Sequence, residues 1–194
     1  LDAIQKTSDV VKVYCQKGKI SVPKSHNKII SFIDDCITEI LPENAYSSFH
    51  PKIWVIRFDK KDSPTVYRFF IMSRNLTFDR SWDLAYYSEG IVGKTNQRSN
   101  IPVVDFIKYL KDHSDFRASD RFIADLHKVK FFTHFDHMVF HPIGIPKYKN
   151  PLPIDCSKLL IISPFVDDKS LEKFKSESTG KRYLFSRKEE LNKL

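Results

Sequence analysis

The chain has 194 residues, of which 41% are hydrophobic and 16 are phenylalanine, enough apolar and aromatic mass to exclude a disordered polymer. No apolar run approaches the ~18 residues a membrane span needs, and the opening "LDAIQKTSDV" lacks the apolar stretch of a secretory leader. The formal net charge of +8 favours a polyanionic partner, nucleic acid before an acidic membrane surface.

The three cysteines, Cys15, Cys36 and Cys156, stand far apart without CxxC spacing. They read as reduced thiols of a cytoplasmic protein, packed as small hydrophobes, and they form no zinc motif. The chain begins with Leu rather than Met, which points to a natural N-terminus further upstream.

In chain order, Val10–Tyr14 is short and β-branched and predicts a strand ending near Gly18. In "NKIISFIDDCITEIL", Ile29, Ile30, Ile33, Cys36, Ile37, Ile40 and Leu41 recur at three- and four-residue spacing, which predicts a helix capped by Ser25 or Asn27 and stopped by Pro42. Residues 49–58 and 66–73 read as two strands joined by "DKKDSPT". Trp82–Tyr87 reads as a third strand closed by Gly90, completing a meander.

"SNIPVVDFIKYL" predicts a helix capped at Ser99 or Asn100, with Pro102 in its first turn and Val103, Phe106, Ile107 and Leu110 on one face. "SDRFIADLHKV" predicts another, capped by Ser119. "KFFTHFDHMVFHPIGI" reads as an aromatic-rich strand. Prolines cluster next, so residues 146–157 read as a linker after a first unit of residues 1–145. Residues 158–194 then open a new strand–helix–strand–helix pattern, starting with "KLLIISPF", an apolar run of buried-strand type. The fold class expected is α/β, a mixed β-sheet flanked by helices.

Side chains alternate along a strand. A strand extended from residue 50 would put His50, Lys52 and Trp54 on one face, while Ser73 and Asn75 project together at the end of the next strand and Asp83 opens the third. Neighbouring strands would then gather an imidazole, an ammonium, an amide and a carboxylate at one sheet edge. That set suits a phosphoryl group. Lysine meets a phosphate oxygen as a point charge and the asparagine amide donates a second hydrogen bond. Imidazole is a competent nucleophile near neutral pH, and a carboxylate behind it fixes the tautomer.

"FHPKIW" followed by "FFIMSRNLT" resembles the signature of the phospholipase D superfamily, in which H-x-K precedes an asparagine at the end of the next strand. The "SRNLT" ending, with an acid eight residues after Asn75, is most similar to the nuclease and tyrosyl-DNA phosphodiesterase branches. "KLLIISPFVDD" is similar to the opening strand of a second superfamily repeat, so the chain resembles one catalytic half plus the truncated start of another. The resemblance implies that His50 attacks phosphorus to form a phosphohistidine. Lys52 and Asn75 would hold the non-bridging oxygens, Ser73 would be a lesser donor and Asp83 would orient His50. It implies neither metal nor cofactor. Two departures stand out: Met72 replaces a frequent glycine, and there is one H-x-K where a complete site takes two. A second histidine, acting as general acid, would come from a C-terminal half or from the partner in a homodimer.

The function expected is therefore metal-independent phosphodiester cleavage, as a nuclease or DNA-end-processing enzyme, on DNA rather than RNA. One alternative is a phospholipid hydrolase, against which stand the basic charge and the missing apolar surface segment. The other is a non-catalytic nucleic-acid-binding or assembly module. His134, Asp136, His137 and His141 form a cluster, but in a strand His134 and His137 would face opposite ways, so they read as rim or packing residues that border a substrate groove. Trp54, Trp82, Tyr86 and Tyr87 read first as sheet-face aromatics and second as base-stacking platforms.

Overall fold

In the computed structural model, which describes residues 6–20, 34–43, 47–75, 80, 82–113, 119–148, 156–176 and 178–194, the chain divides into two compact units, Leu1–Tyr148 and Lys149–Leu194. The first unit opens with a 3-10 turn, Ser8–Val10, and a strand, β1 (Val13–Gln16). This strand lies three residues later than its composition predicts and pairs in parallel with β2 (Ile37–Ile40). The helix expected over residues 27–41 is therefore corrected in its last part; residues 27–33 and both predicted caps lie outside the described residues. The segment Ile37–Ile40 is rich in β-branched side chains, and Val13–Gln16 offers it a partner. Val13 N–H donates to Cys36 O (2.8 Å) and Lys17 N–H to Ile40 O (2.9 Å), closing the ladder at both ends. Tertiary pairing thus overrides a short helical period.

The central sheet is antiparallel, in the order β3 (Ile53–Phe58), β4 (Val66–Met72), β5 (Ala85–Val92) and β6 (Val129–Phe131). Alternation sorts its faces. Tyr67 and Phe69 are buried on one side, with Ile53 and Val55 packed beside them, while Trp54, Phe58 and Tyr87 stay half exposed on the other. The third strand of the meander begins at Ala85 rather than Trp82 and runs through Gly90 instead of ending there. A Cβ at Gly90 would sit 2.5 Å from Val129 Cγ1 and 2.6 Å from Lys130 O, so glycine is what lets β6 approach. Of the aromatic run only Lys130 and Phe131 are strand, with Val129 before them opening β6; Phe132 and Phe135 beyond it are exposed.

Two helices cover the buried face: α1 (Ile101–Asp112) and α2 (Asp120–Lys128). Val103, Val104, Ile123 and Leu126 seal against Tyr67, Phe69, Val129 and Phe140. Each such side chain, fully withdrawn from water, contributes about 1.5–3 kcal/mol. Ser119 caps α2 as its position predicts, its Oγ accepting from Phe122 N–H at 3.1 Å. Asn100 precedes α1 without capping it. Its amide, 1% exposed, donates instead to Leu126 O (3.0 Å) and Val129 O (2.7 Å), and so satisfies carbonyls at the end of α2.

The second unit holds β7 (Lys158–Ile162), α3 (Asp168–Ser176), β8 (Lys181–Phe185) and α4 (Lys188–Leu191), with β7 and β8 parallel. Asp167 starts α3 by accepting from Ser170 N–H (2.9 Å) and Ser170 Oγ (2.7 Å). The "KLLIISPF" strand is less buried than its apolar run predicts. Leu159 is buried, whereas Leu160 and Ile162 are exposed, because among the described residues β7 has a single strand partner. Residues 149–155, most of the expected linker, lie outside the described residues. The described elements make an α/β chain with several sheets.

Candidate phosphate site at the sheet end

The ladder of the central sheet continues past the strand ends. Met72 N–H donates to Lys52 O and Ser73 N–H to Leu84 O, both at 2.9 Å. These two bonds lay the entry to β3, the exit of β4 and the entry to β5 side by side, so Lys52, Ser73 and Asp83 sit at one end of one sheet.

Two pairs form there. Lys52 Nζ lies 2.7 Å from His50 Nδ1, 3.2 Å from His50 Nε2 and 3.2 Å from His50 O. An ammonium has only protons to offer, so in these contacts Lys52 donates and the ring nitrogen accepts. Burial pulls the Lys52 ammonium below its ordinary lysine value, since desolvation disfavours charge. The second pair is Ser73 and Asp83: Ser73 Oγ donates to Asp83 Oδ1 and accepts from Leu84 N–H at 3.0 Å. Asp83, expected behind His50, is thus engaged with Ser73. Asn75 lies exposed three residues past β4, and it does not line the cavity onto which His50 and Lys52 open. β3 begins at Ile53, after His50 and Lys52, and Trp54 shares the face of its pairing partner Phe70.

His50 and Lys52 open onto a cavity of about 510 Å³. Its walls are apolar, with Ile53, Phe69, Val103, Phe106 and Phe140 among them, and its polar groups include Glu43, Tyr109 and His141. Burial, with a smaller push from the Glu43 carboxylate, raises Tyr109 and keeps it a neutral phenol. Sequence reasoning missed Glu43 and Tyr109 and left His141 at the rim of a groove. A signal for His141 exists: Phe-His-Pro at 49–51 recurs at 140–142. In both copies the proline biases the histidine before it toward extended backbone. Phe140 is buried edge-on against Phe69 (4.9 Å), and Phe49 N–H is tied to Gln16 Oε1 (3.0 Å), so each imidazole is carried by an anchored neighbour.

The chain matches no protein-family model, no curated protein and no solved structure. Among the described residues there is no group of three or more His, Cys, Asp or Glu able to hold a metal, and no helix long and apolar enough to cross a membrane. His134 and His137 are exposed outside any strand, so the opposite-face placement expected of them does not arise. Cys15, Cys36 and Cys156 form no disulfide.

The far wall of the cavity is fastened by Asp105 on α1, which accepts from Lys147 Nζ (2.8 Å) and Tyr148 Oη (2.5 Å). Burial alone would raise the Asp105 carboxyl, but the hydrogen bonds from Lys147 and Tyr148 outweigh it and hold it below the ordinary carboxylate value. A depressed folded value places the stabilisation at and above the ordinary carboxylate range, about pH 4, and removes it as pH falls through the lowered value. The protection factor of the Tyr148 amide, whose N–H donates to Ile145 O (2.8 Å), is expected to fall on acidification in the wild type and to be low already near neutrality in Asp105→Ala. Equal protection in both proteins at neutral pH would contradict the clamp.

Proposed function

We propose that this chain is the histidine-bearing half of a metal-independent phosphodiesterase of the phospholipase D type, acting on DNA through a phosphohistidine intermediate. One observation supports the reading: the His50 imidazole meets the Lys52 ammonium at the mouth of a cavity, at the sheet end where Ser73 also bonds Asp83. An incoming diester competes for Lys52. Its oxygens are anionic, so the ammonium moves to phosphate and the ring nitrogen it leaves is turned toward phosphorus. Lys52 and Asn75 then neutralise charge on the non-bridging oxygens, which is where phosphoryl chemistry needs help. Ser73 and Asp83 brace the sheet end beside them. The net charge of +8 supports a nucleic-acid substrate in a cytoplasmic protein. A C-terminal half or a second copy would add to the site.

A phospholipid diester is the second reading, favoured by the apolar cavity walls. The test sets single-stranded oligonucleotides beside phosphatidylcholine vesicles, each with and without EDTA. DNA cleavage undiminished by EDTA supports the first reading and vesicle hydrolysis the second. Salt-sensitive DNA binding without cleavage, unchanged in His50→Ala, would replace both with a non-catalytic module.

A further inference from the structure

Strand register sets three rings in one row across the outer face of the central sheet. Trp54 on β3 pairs with Phe70 on β4, and Phe70 pairs with Tyr87 on β5. The Phe70 and Tyr87 ring centroids lie 4.8 Å apart. Helices α1 and α2 pack on the other face, while Trp54 and Tyr87 remain 46% and 48% exposed. Tyr86, one residue along, turns to the core side, where its hydroxyl meets Met138 Sδ at 3.3 Å. Large rings left half in water forgo the free energy of burial, and a contiguous row of them marks a binding surface.

The charges on this face decide what fits it. Arg68 and Lys130 share it with a single carboxylate, Glu89. That carboxylate is engaged within the face: Arg68 Nε (2.7 Å) and Tyr87 Oη (3.0 Å) both donate to Glu89 Oε2. These two hydrogen bonds, the one from Arg68 first, hold it below the ordinary carboxylate value. Arg68 also stands 4.7 Å over the Phe58 ring. Face and chain are both cationic, the chain at +8, so a second copy laid face to face would meet like charge. A partner with flat apolar rings on an anionic backbone meets both features. Duplex DNA keeps its base faces inside the stack and presents edges and backbone, whereas a single strand offers the faces themselves. With strands about 4.8 Å apart, the row spans roughly 10 Å, room for two or three bases. Its position is also apt. Lys52 precedes Trp54 by two residues, about 7 Å along the strand, and Met72, bonded to Lys52 O, pairs with Ala85 at the same sheet end.

We infer that the row of Trp54, Phe70 and Tyr87 is a stacking platform for single-stranded DNA, seating the strand beside the sheet end that holds Lys52. The inference rests on the nucleic-acid reading above and deepens it, making the substrate a single strand and assigning the surface that grips its bases. Stacking accepts any base, because every base has a π-face, so the platform is sequence-tolerant.

The test uses the full 194-residue chain and a fluorescein-labelled oligodeoxythymidylate. The chain has two tryptophans, and Trp82 is 98% exposed ahead of β5, so Trp82→Phe isolates the Trp54 signal without disturbing the sheet. In that variant the oligonucleotide is expected to quench Trp54 emission over the same concentrations at which anisotropy reports binding. Trp54→Ala and Tyr87→Ala are each expected to weaken single-strand affinity about 5–100-fold, while Tyr87→Phe, which keeps the ring, stays within about twofold of wild type. Affinity for a duplex of equal length, set by backbone charge, should change little in any of them. Unquenched Trp54 at saturating oligonucleotide overturns the inference, whether or not the alanine variants fold. So do alanine variants that melt like wild type and bind the single strand as tightly. Self-association of the DNA-free chain that Trp54→Ala abolishes overturns it in favour of a second copy. None of these readouts depends on cleavage. DNA cut without quenching removes the platform and leaves the phosphodiesterase reading standing; quenching without cleavage keeps the platform and removes that reading. A wild type that binds no single strand overturns both.

Discussion

Alanine at position 50 is expected to lower phosphodiester turnover by at least about a thousandfold while leaving the fold intact. His50 is exposed, precedes β3 and bonds chiefly to Lys52, so removing its ring creates no core cavity and deprives no buried group of its partner. The melting temperature should stay within a few degrees of wild type. On the proposed reading the nucleophile has no substitute at the sheet end, because Ser73 is held by Asp83 and Lys52 would be engaged with the phosphate. Lys52→Met should cost less, on the order of a hundredfold, since the imidazole persists and only one charge-assisted contact to phosphate is lost. Residual activity in His50→Ala above that of Lys52→Met would invert the assigned roles.

Phe69→Ala is expected to cost about 3–5 kcal/mol of folding stability, the range for deleting a buried aromatic ring. Phe69 is 2% exposed and meets Phe140 at 4.9 Å and Phe131 at 6.0 Å, both edge-on. It also forms part of the cavity wall. Its loss therefore frees the segment that carries His141 as well as opening the core. Urea unfolding measures the first effect and turnover of the folded fraction the second. Trp54→Ala provides the contrast: that ring is 46% exposed on the opposite face of the same sheet, and about 1 kcal/mol is expected. A larger cost at Trp54 than at Phe69 would mean that the core lies on the other face.

Much of this fold was legible in single segments. The alternation of Ile53–Phe58 and Val66–Met72 announced two strands, and the spacing of Val103, Ile107 and Leu110 announced α1. Ser119 marked the start of α2 by ordinary capping chemistry. What failed did so where a distant partner decides. Ile37–Ile40 follows a helical period yet is held as strand by Val13–Gln16. Gly90 has the composition of a stop, yet serves as the gap through which β6 approaches. The candidate site divides the same way. His50 and Lys52 stand two residues apart, and local spacing brings their side chains together. The cavity they open onto is assembled from segments around Glu43, Ile53, Phe69, Phe106 and His141, and no local pattern encodes that convergence.

The most direct measurement is a rapid-quench experiment with a labelled phosphodiester, followed by peptide mapping under alkaline conditions that preserve P–N bonds. The account predicts an acid-labile, base-stable phosphoryl label on the peptide containing His50, formed as fast as the first product and absent in His50→Ala. Product formation with no label on that peptide, or with the label on another residue, would contradict it.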